Sequence, residues 1–304
     1  MTSATIPCVK MLMREQKILE KNPVEGTIIK FNEKDVQNSK FMIFGTKGTP
    51  HQGSFLMFKI HYGTNYPYKE PKVVIINQKH RTHPNLYVSG VGGGKVCVSI
   101  LGTWGKNNWS AALKTQGVLV SIQSLLIDNP IKQEPGYSDI EESWKDSPID
   151  EKKERYKIMK EYNIISSYYA LKDTAFHVLL HGVLGFEEFQ EEAINYFKNN
   201  WRDYQSQVEY FKPLHGQVFS KNCYSLSAKI NYPELKHDFE TICAKYGIDP
   251  NQPEEDEVEK VAEQEVKVDE EVNEEVNEEV NEEIDKTKPK GKPKITLKIT
   301  KKKK

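Results

Sequence analysis

The sequence predicts an α+β protein: a four-stranded antiparallel meander flanked by helices, continued by a helical extension and ending in a disordered charged tail. Three observations carry this prediction. Runs rich in β-branched and aromatic residues recur at short spacing between residues 27 and 76, with turn residues between them. Apolar residues at helical spacing lie before and after that block. Near residue 252 the composition changes to a low-complexity charged repeat.

The first element is a short amphipathic helix over residues 7–21. Val9, Leu12, Met13, Gln16 and Leu19 fall near one face, Pro7 suits a first turn and Asn22-Pro23 a stop. Four strands follow, read over Thr27–Phe31, Lys40–Phe44, Ser54–Ile60 and Lys72–Ile76, with Gly45 and Gly48 as turn signals. Residues Gln116–Asp128 carry Val118, Leu119, Ile122, Leu125 and Leu126 on one helical face, ended by Asn129-Pro130. With helices segregated from an antiparallel sheet, the layout is α+β. Domain limits are therefore expected at 5–145 for the core, 148–247 for the helical extension and 252–304 for the tail. The four tetrapeptides from Glu270 to Asp285 hold too little apolar surface for a core, so disorder or a frayed charged helix is expected there.

The 304 residues allow one well-buried core plus appendages. No run of about 18 apolar residues occurs, and the start MTSATIPCVKMLMREQ lacks an apolar segment before a small-residue cleavage site. An intracellular protein, cytoplasmic or nuclear, is expected. Cys8, Cys97, Cys223 and Cys243 form no CxxC pair, which speaks against a disulfide framework or a zinc ribbon, and no metal is expected. The formal net charge of −1 conceals segregation. Residues 254–285 carry 17 acidic and 2 basic side chains and residues 286–304 carry 10 lysines, which leaves the remainder at about +4.

Tyr66-Pro67-Tyr68, then His83-Pro84-Asn85, then Val96-Cys97-Val98 and a later tryptophan stand in one order. Together they resemble the ubiquitin-conjugating enzyme family, whose domain is the UBC fold. Leu101-Gly102-Thr103-Trp104 and Glu134-Pro135-Gly136-Tyr137 are similar to segments of its large, atypical members with helical C-terminal extensions. The likeness covers residues 5–140 well, 148–247 only in general character, and the tail not at all.

The resemblance implies that Cys97 is the nucleophile, carrying a modifier as a glycyl thioester received from an activating enzyme and passed to a lysine or a ligase. A thiol suits this relay because its thiolate attacks readily and the thioester stays reactive toward amines. Asn85 is implied as an oxyanion donor or a support of the catalytic loop, since a neutral amide stabilises a tetrahedral oxyanion without a competing charge. His83 and Pro84 are implied as structural, although imidazole near thiol also raises a Cys-His pair. Glu134 matches the family's acidic residue near the acceptor lysine, and Tyr137 stands beside it. Family contact positions fall on Lys10, Arg14 and Lys17 for the activating enzyme, on Tyr68 and Ser110 for a ligase, and on Val120 and Ser124 for the donor modifier. No resident cofactor is expected, ATP being used by the upstream activating enzyme. The expected partners are ubiquitin or a ubiquitin-like modifier, the activating enzyme, a ligase and a protein substrate, with no membrane and no nucleic acid.

Two departures from the family pattern stand out. Asn85 to Cys97 spans twelve residues, longer than usual, through Gly90-Val91-Gly92-Gly93-Gly94. That insertion either bulges outward or loosens the Asn85–Cys97 geometry. Ser110-Ala111-Ala112 lacks the proline that many members carry, which puts common RING-type pairing in doubt. The competing readings are an inactive adaptor of the same fold and a nucleic-acid or histone binder driven by the tail.

Overall fold

A computed structural model describes residues 6–106 and 108–252; the acidic repeat and the lysine-rich tail lie outside the described residues. Helix α1 (Ile6–Lys21) turns Cys8, Leu12, Glu15 and Leu19 inward and leaves Lys10, Arg14 and Lys17 exposed. Strands β1 (Thr27–Phe31), β2 (Asn38–Phe44), β3 (Phe55–His61) and β4 (Lys72–Ile75) pair antiparallel in sequence order, as the spacing predicts. A fifth strand, β5 (Gly94–Lys95), adds to β4 and was not anticipated, because glycine carries no strand signal.

Side chains alternate across the sheet with period two. Phe41, Ile43, Leu56, Phe58, Ile60, Val73 and Ile75 face α1 and helix α2 (Lys114–Gln123), forming one core. Helix α2 ends five residues before the predicted Asp128, where Leu125 and Leu126 bend into a turn bonded to Ile122 and Gln123. Glu15 joins these layers: its Oε2 accepts from Tyr66 Oη at 2.7 Å, Thr115 N at 3.0 Å and Thr115 Oγ1 at 2.7 Å.

The opposite sheet face is also apolar, through Ile28, Met42, Phe44, Phe55, Met57 and Ile76. A sheet with two apolar faces needs a cover on each. The second cover is the extension. Helix α3 (Asp150–Tyr169) runs through a π-helical stretch, Ala170–Phe176, into α4 (His177–His181); α5 (Gln190–Tyr210) and α6 (Tyr232–Tyr246) complete it. Leu171, Phe176, Phe197 and Tyr204 are among the residues that share the core with Met42, Phe55 and Met57. Tyr204 donates to Gly53 O at 2.6 Å; Gly53 has φ +76°, and a Cβ there would lie 2.8 Å from the ring, so only glycine fits. Between α5 and α6 two short strands, β6 (Val218–Phe219) and β7 (Ala228–Lys229), pair across a loop that holds Cys223 and Tyr224.

The described residues up to Pro250 belong to one compact unit. Among them no helix is long and apolar enough to cross a membrane. A chain ending at Ser147 should therefore expose the second apolar face and self-associate, measurable by light scattering beside the full-length protein. A monomeric fragment with unchanged melting temperature would contradict that two-sided core.

Candidate functional site

The segment from Gln78 to Thr103 builds the site. At its start Thr82 Oγ1 accepts from Gln78 Nε2 at 2.7 Å and meets His51 Nε2 at 3.2 Å, all three residues being buried. His83 is committed on both ring nitrogens. Its Nδ1 accepts from Asn85 N at 3.0 Å and its Nε2–H donates to Leu125 O at 2.9 Å. That leaves no nitrogen for base chemistry on a thiol. Burial pushes His51 down to about 3 and His83 down to about 4, so both are neutral across the ordinary range.

Asn85 and Cys97 meet directly. Cys97 N donates to Asn85 O at 2.8 Å, and Asn85 Nδ2 donates to Cys97 O at 2.7 Å. Asn85 Oδ1 is buried and unpaired, so the Asn85 side chain is held by this one bond. Between them the insertion folds outward as a hairpin: Tyr87 N donates to Lys95 O at 3.0 Å, Leu86 bridges Val96, and Gly93 N donates to Gly90 O at 3.0 Å. The base is thus closed and Val91, at the tip, is fully exposed. At Gly94 a Cβ would lie 2.1 Å from Tyr87 O, which excludes any other residue there.

After Cys97 the chain makes a short 3-10 turn, Ser99–Leu101, ended by Gly102 in left-handed conformation. Thr103 then straps the neighbours of Cys97: its Oγ1 accepts from Val98 N at 2.9 Å and donates to Val96 O at 2.7 Å. Cys97 itself is 1% exposed.

A family model for ubiquitin-conjugating enzymes matches residues 11–159. The chain is 35% identical over 127 residues to ubiquitin-conjugating enzyme E2 3 of Arabidopsis thaliana, covering 78% of that protein. The chain belongs to the ubiquitin-conjugating enzyme family. It is also similar to ubiquitin-conjugating enzyme E2 Z of Danio rerio, at 36% identity over 137 residues, 44% of this chain and 40% of that one. To the Homo sapiens E2 Z it is 35% identical over 133 residues, 43% of this chain and 36% of that one. The match therefore spans well under half the length of these two larger relatives, and the family model stops within α3.

Other residues expected at the site of a ubiquitin-conjugating enzyme are distributed over the surface. Lys10, Arg14 and Lys17 line the solvent side of α1; Tyr68 is 84% exposed; Ser110 is exposed; Val120 and Ser124 share the open face of α2. None of these touches the Asn85–Cys97 pair by any hydrogen bond of the structure. Glu134 is half-buried and accepts from Tyr224 Oη at 2.5 Å, while Arg155 of α3 binds Gly136 O and Asp139 beside Tyr137.

Sequence reasoning missed the residues of the extension that grip this segment. Asp173, in the π-helical stretch, meets His80 Nδ1 at 2.7 Å, and Tyr169 stacks on the His80 ring at 3.6 Å. Tyr162 donates to Arg81 O at 3.0 Å. No local spacing announces such contacts. Thr103 did have a signal, its place in the Leu-Gly-Thr-Trp segment.

The buried histidines give a pH dependence. As pH falls below the ordinary histidine value of 6.5, the unfolded chain takes up protons that folded His51 and His83 refuse until about 3 and about 4. Stability should therefore fall with pH below 6.5, by up to roughly 1.4 kcal/mol per pH unit for each histidine, and these groups add no slope above pH 7. Denaturant melts from pH 7 to 5 check this; His51→Gln should flatten the slope whatever it does to absolute stability. Thiol labelling provides a second check: exposed Cys223 should react with a bulky maleimide well before buried Cys8, Cys97 and Cys243.

Proposed function

We infer that this protein is a conjugating enzyme that carries ubiquitin, or a ubiquitin-like modifier, on Cys97. The reading rests on one observation above all, the reciprocal hydrogen bonding of Asn85 and Cys97 in a chain of this family. The thiolate Sγ of Cys97 attacks the modifier's C-terminal glycyl carbonyl carbon, held as a thioester on the activating enzyme. The carbonyl becomes a tetrahedral oxyanion, which collapses by expelling the activating enzyme's thiolate. In the second step a deprotonated lysine amine attacks the new thioester, the C–S bond breaks, Cys97 leaves as thiolate, and the proton lost from the nitrogen passes to that thiolate or to solvent.

Asn85 serves both steps through its backbone partner. One amide N–H holds Cys97 O at 2.7 Å and thereby the nucleophile's loop; the second N–H is the one left for the developing oxyanion. The chemistry needs no resident cofactor, because activation with ATP precedes it. Exposed Lys10, Arg14 and Lys17 are the proposed contact for an acidic face of the activating enzyme, Val120 and Ser124 for the donor modifier, and Tyr68 with Ser110 for a ligase. With Cys97 1% exposed, charging requires local opening around the thiol.

Incubation with activating enzyme, ATP and ubiquitin should give an adduct that reductant cleaves, that Cys97→Ala abolishes and that Cys97→Ser converts to a reductant-stable ester. Running the same assay across ubiquitin-like modifiers assigns the modifier. A well-folded protein that forms no adduct with any of them is an adaptor, and the enzymatic reading is then wrong.

A further inference from the structure

One tyrosine of the extension reaches both the turn that carries Asn85 and the carboxylate of Glu134. It is Tyr224, in the loop between β6 and β7. That loop is pinned. Asn222 Oδ1 accepts from Tyr224 N at 2.9 Å and Leu226 N at 3.0 Å, and its Nδ2 donates to Ser220 O and Leu226 O. Glu161 of α3 accepts from the backbone N–H groups of Ser220 and Lys221, and Lys221 Nζ donates to Glu154 at 2.6 Å. Ser225 is held at φ +55°, a conformation a non-glycine residue keeps only where its surroundings fix it.

The Tyr224 ring lies 4.2 Å from Arg81 Cζ, and the Tyr87 ring lies 3.9 Å from it. A guanidinium in contact with two aromatic rings gains attraction from each. The same guanidinium donates to Pro84 O at 2.9 Å, and Pro84 adjoins Asn85. The ring is therefore mechanically linked, through one arginine, to the turn that holds the nucleophile's loop. At its other end the Tyr224 hydroxyl donates to Glu134 Oε2 at 2.5 Å. Burial first, and then the Glu134 carboxylate, push the Tyr224 pKa upward, so it remains a donor. A carboxylate offers about four lone-pair sites, so this bond orients Glu134 without consuming it, and Oε1 stays available to an amine.

We propose that Tyr224 is a positioning residue for aminolysis, its ring fixing the Asn85 turn and its hydroxyl fixing Glu134 to receive the acceptor lysine. This rests on the conjugation reading above and on the resemblance that matches Glu134 to the family's acidic residue near the acceptor lysine. The lysine ammonium passes one proton to solvent by way of Glu134, the amine attacks the thioester carbon, the C–S bond to Cys97 breaks, and the second nitrogen proton goes to the departing Cys97 thiolate. A tyrosine that merely blocked Glu134 would act with the opposite sign, since removing its hydroxyl would then speed the reaction.

The experiment uses the full chain charged with ubiquitin on Cys97, activation quenched, and single-turnover discharge to free lysine followed across lysine concentrations. Tyr224→Phe should charge like wild type, yet discharge about tenfold more slowly at low lysine, with a smaller effect at saturation. Tyr224→Ala should slow both regimes and raise hydrogen exchange of residues 81–87, which Tyr224→Phe should leave unchanged because the ring remains. Combined with Glu134→Gln, Tyr224→Phe should add no further loss. Discharge of Tyr224→Phe at or above the wild-type rate, or losses that multiply in the double variant, would overturn the proposal while leaving the conjugation reading intact. Failure of the wild type to charge with any modifier would overturn both.

Discussion

Two hydrogen bonds between Asn85 and Cys97 constrain everything else about the site. They close a twelve-residue excursion at its base, so the tip of the glycine run projects without opening the Asn85–Cys97 contact. The surrounding residues hold this clasp in place. His83 spends its two ring nitrogens on Asn85 N and Leu125 O, fixing the turn against the end of α2. Thr103 ties Val96 and Val98 on either side of Cys97. His83 and Thr103 are neutral and fully engaged, so their contribution is geometric rather than electrostatic.

The clasp in turn leans on the extension. The sheet is apolar on both faces, and the helices that cover its outer face are the same ones that seize the chain just before Asn85. His80 is held by Asp173 and Tyr169, Arg81 by Tyr162 and Tyr224. The π-helical stretch that places Asp173 is a costly conformation, and such stretches persist where they aim a side chain that a regular helix would misdirect. Covering the sheet and fixing the turn are thus one structural act. Where the cover ends, the outer face becomes basic: Lys30, Lys40 and Lys59 stand in register across three strands, and Lys30 and Lys40 pair with Glu192 and Glu188 at the border.

The meander was legible because period-two alternation and turn residues are local signals. The cover of the outer face was legible in principle too, since Phe41 to Phe44 and Phe55 to Phe58 are unbroken apolar runs, the mark of a strand buried on both sides. Cys97, Asn85 and His83 were legible as an ordered motif. What could not be read was the environment of Glu134. Its partner lies ninety residues later, in a loop with no motif, and a hydrogen bond between Glu134 and Tyr224 depends on how α3 and the β6–β7 loop pack rather than on any spacing. His51 was equally silent: a loop histidine becomes a buried partner of Thr82 only once β2 and β3 fold. The insertion before Cys97 was recognised, but whether it loosened the site turned on the Tyr87–Lys95 and Leu86–Val96 contacts that the sequence does not declare.

On the proposed reading a clasped and 1% exposed thiol has to admit a modifier's C-terminus. The parts around it differ in how much they lose by moving. Shifting the turn at Asn85 would break the Thr82, His83 and Arg81 bonds together, in a buried polar cluster where each orphaned group is expensive. The tip of the hairpin has far less to lose. Val91 is fully exposed at its tip, a Cβ at Gly90 or Gly92 would meet no neighbouring atom within 4 Å, and Gly92 stands at positive φ, a conformation glycine adopts without strain. Segments with few buried contacts open first. The tip of the glycine loop is therefore the part of the chain between Asn85 and Cys97 that moves at least cost, while its base at Gly93 and Gly94 stays held against β4.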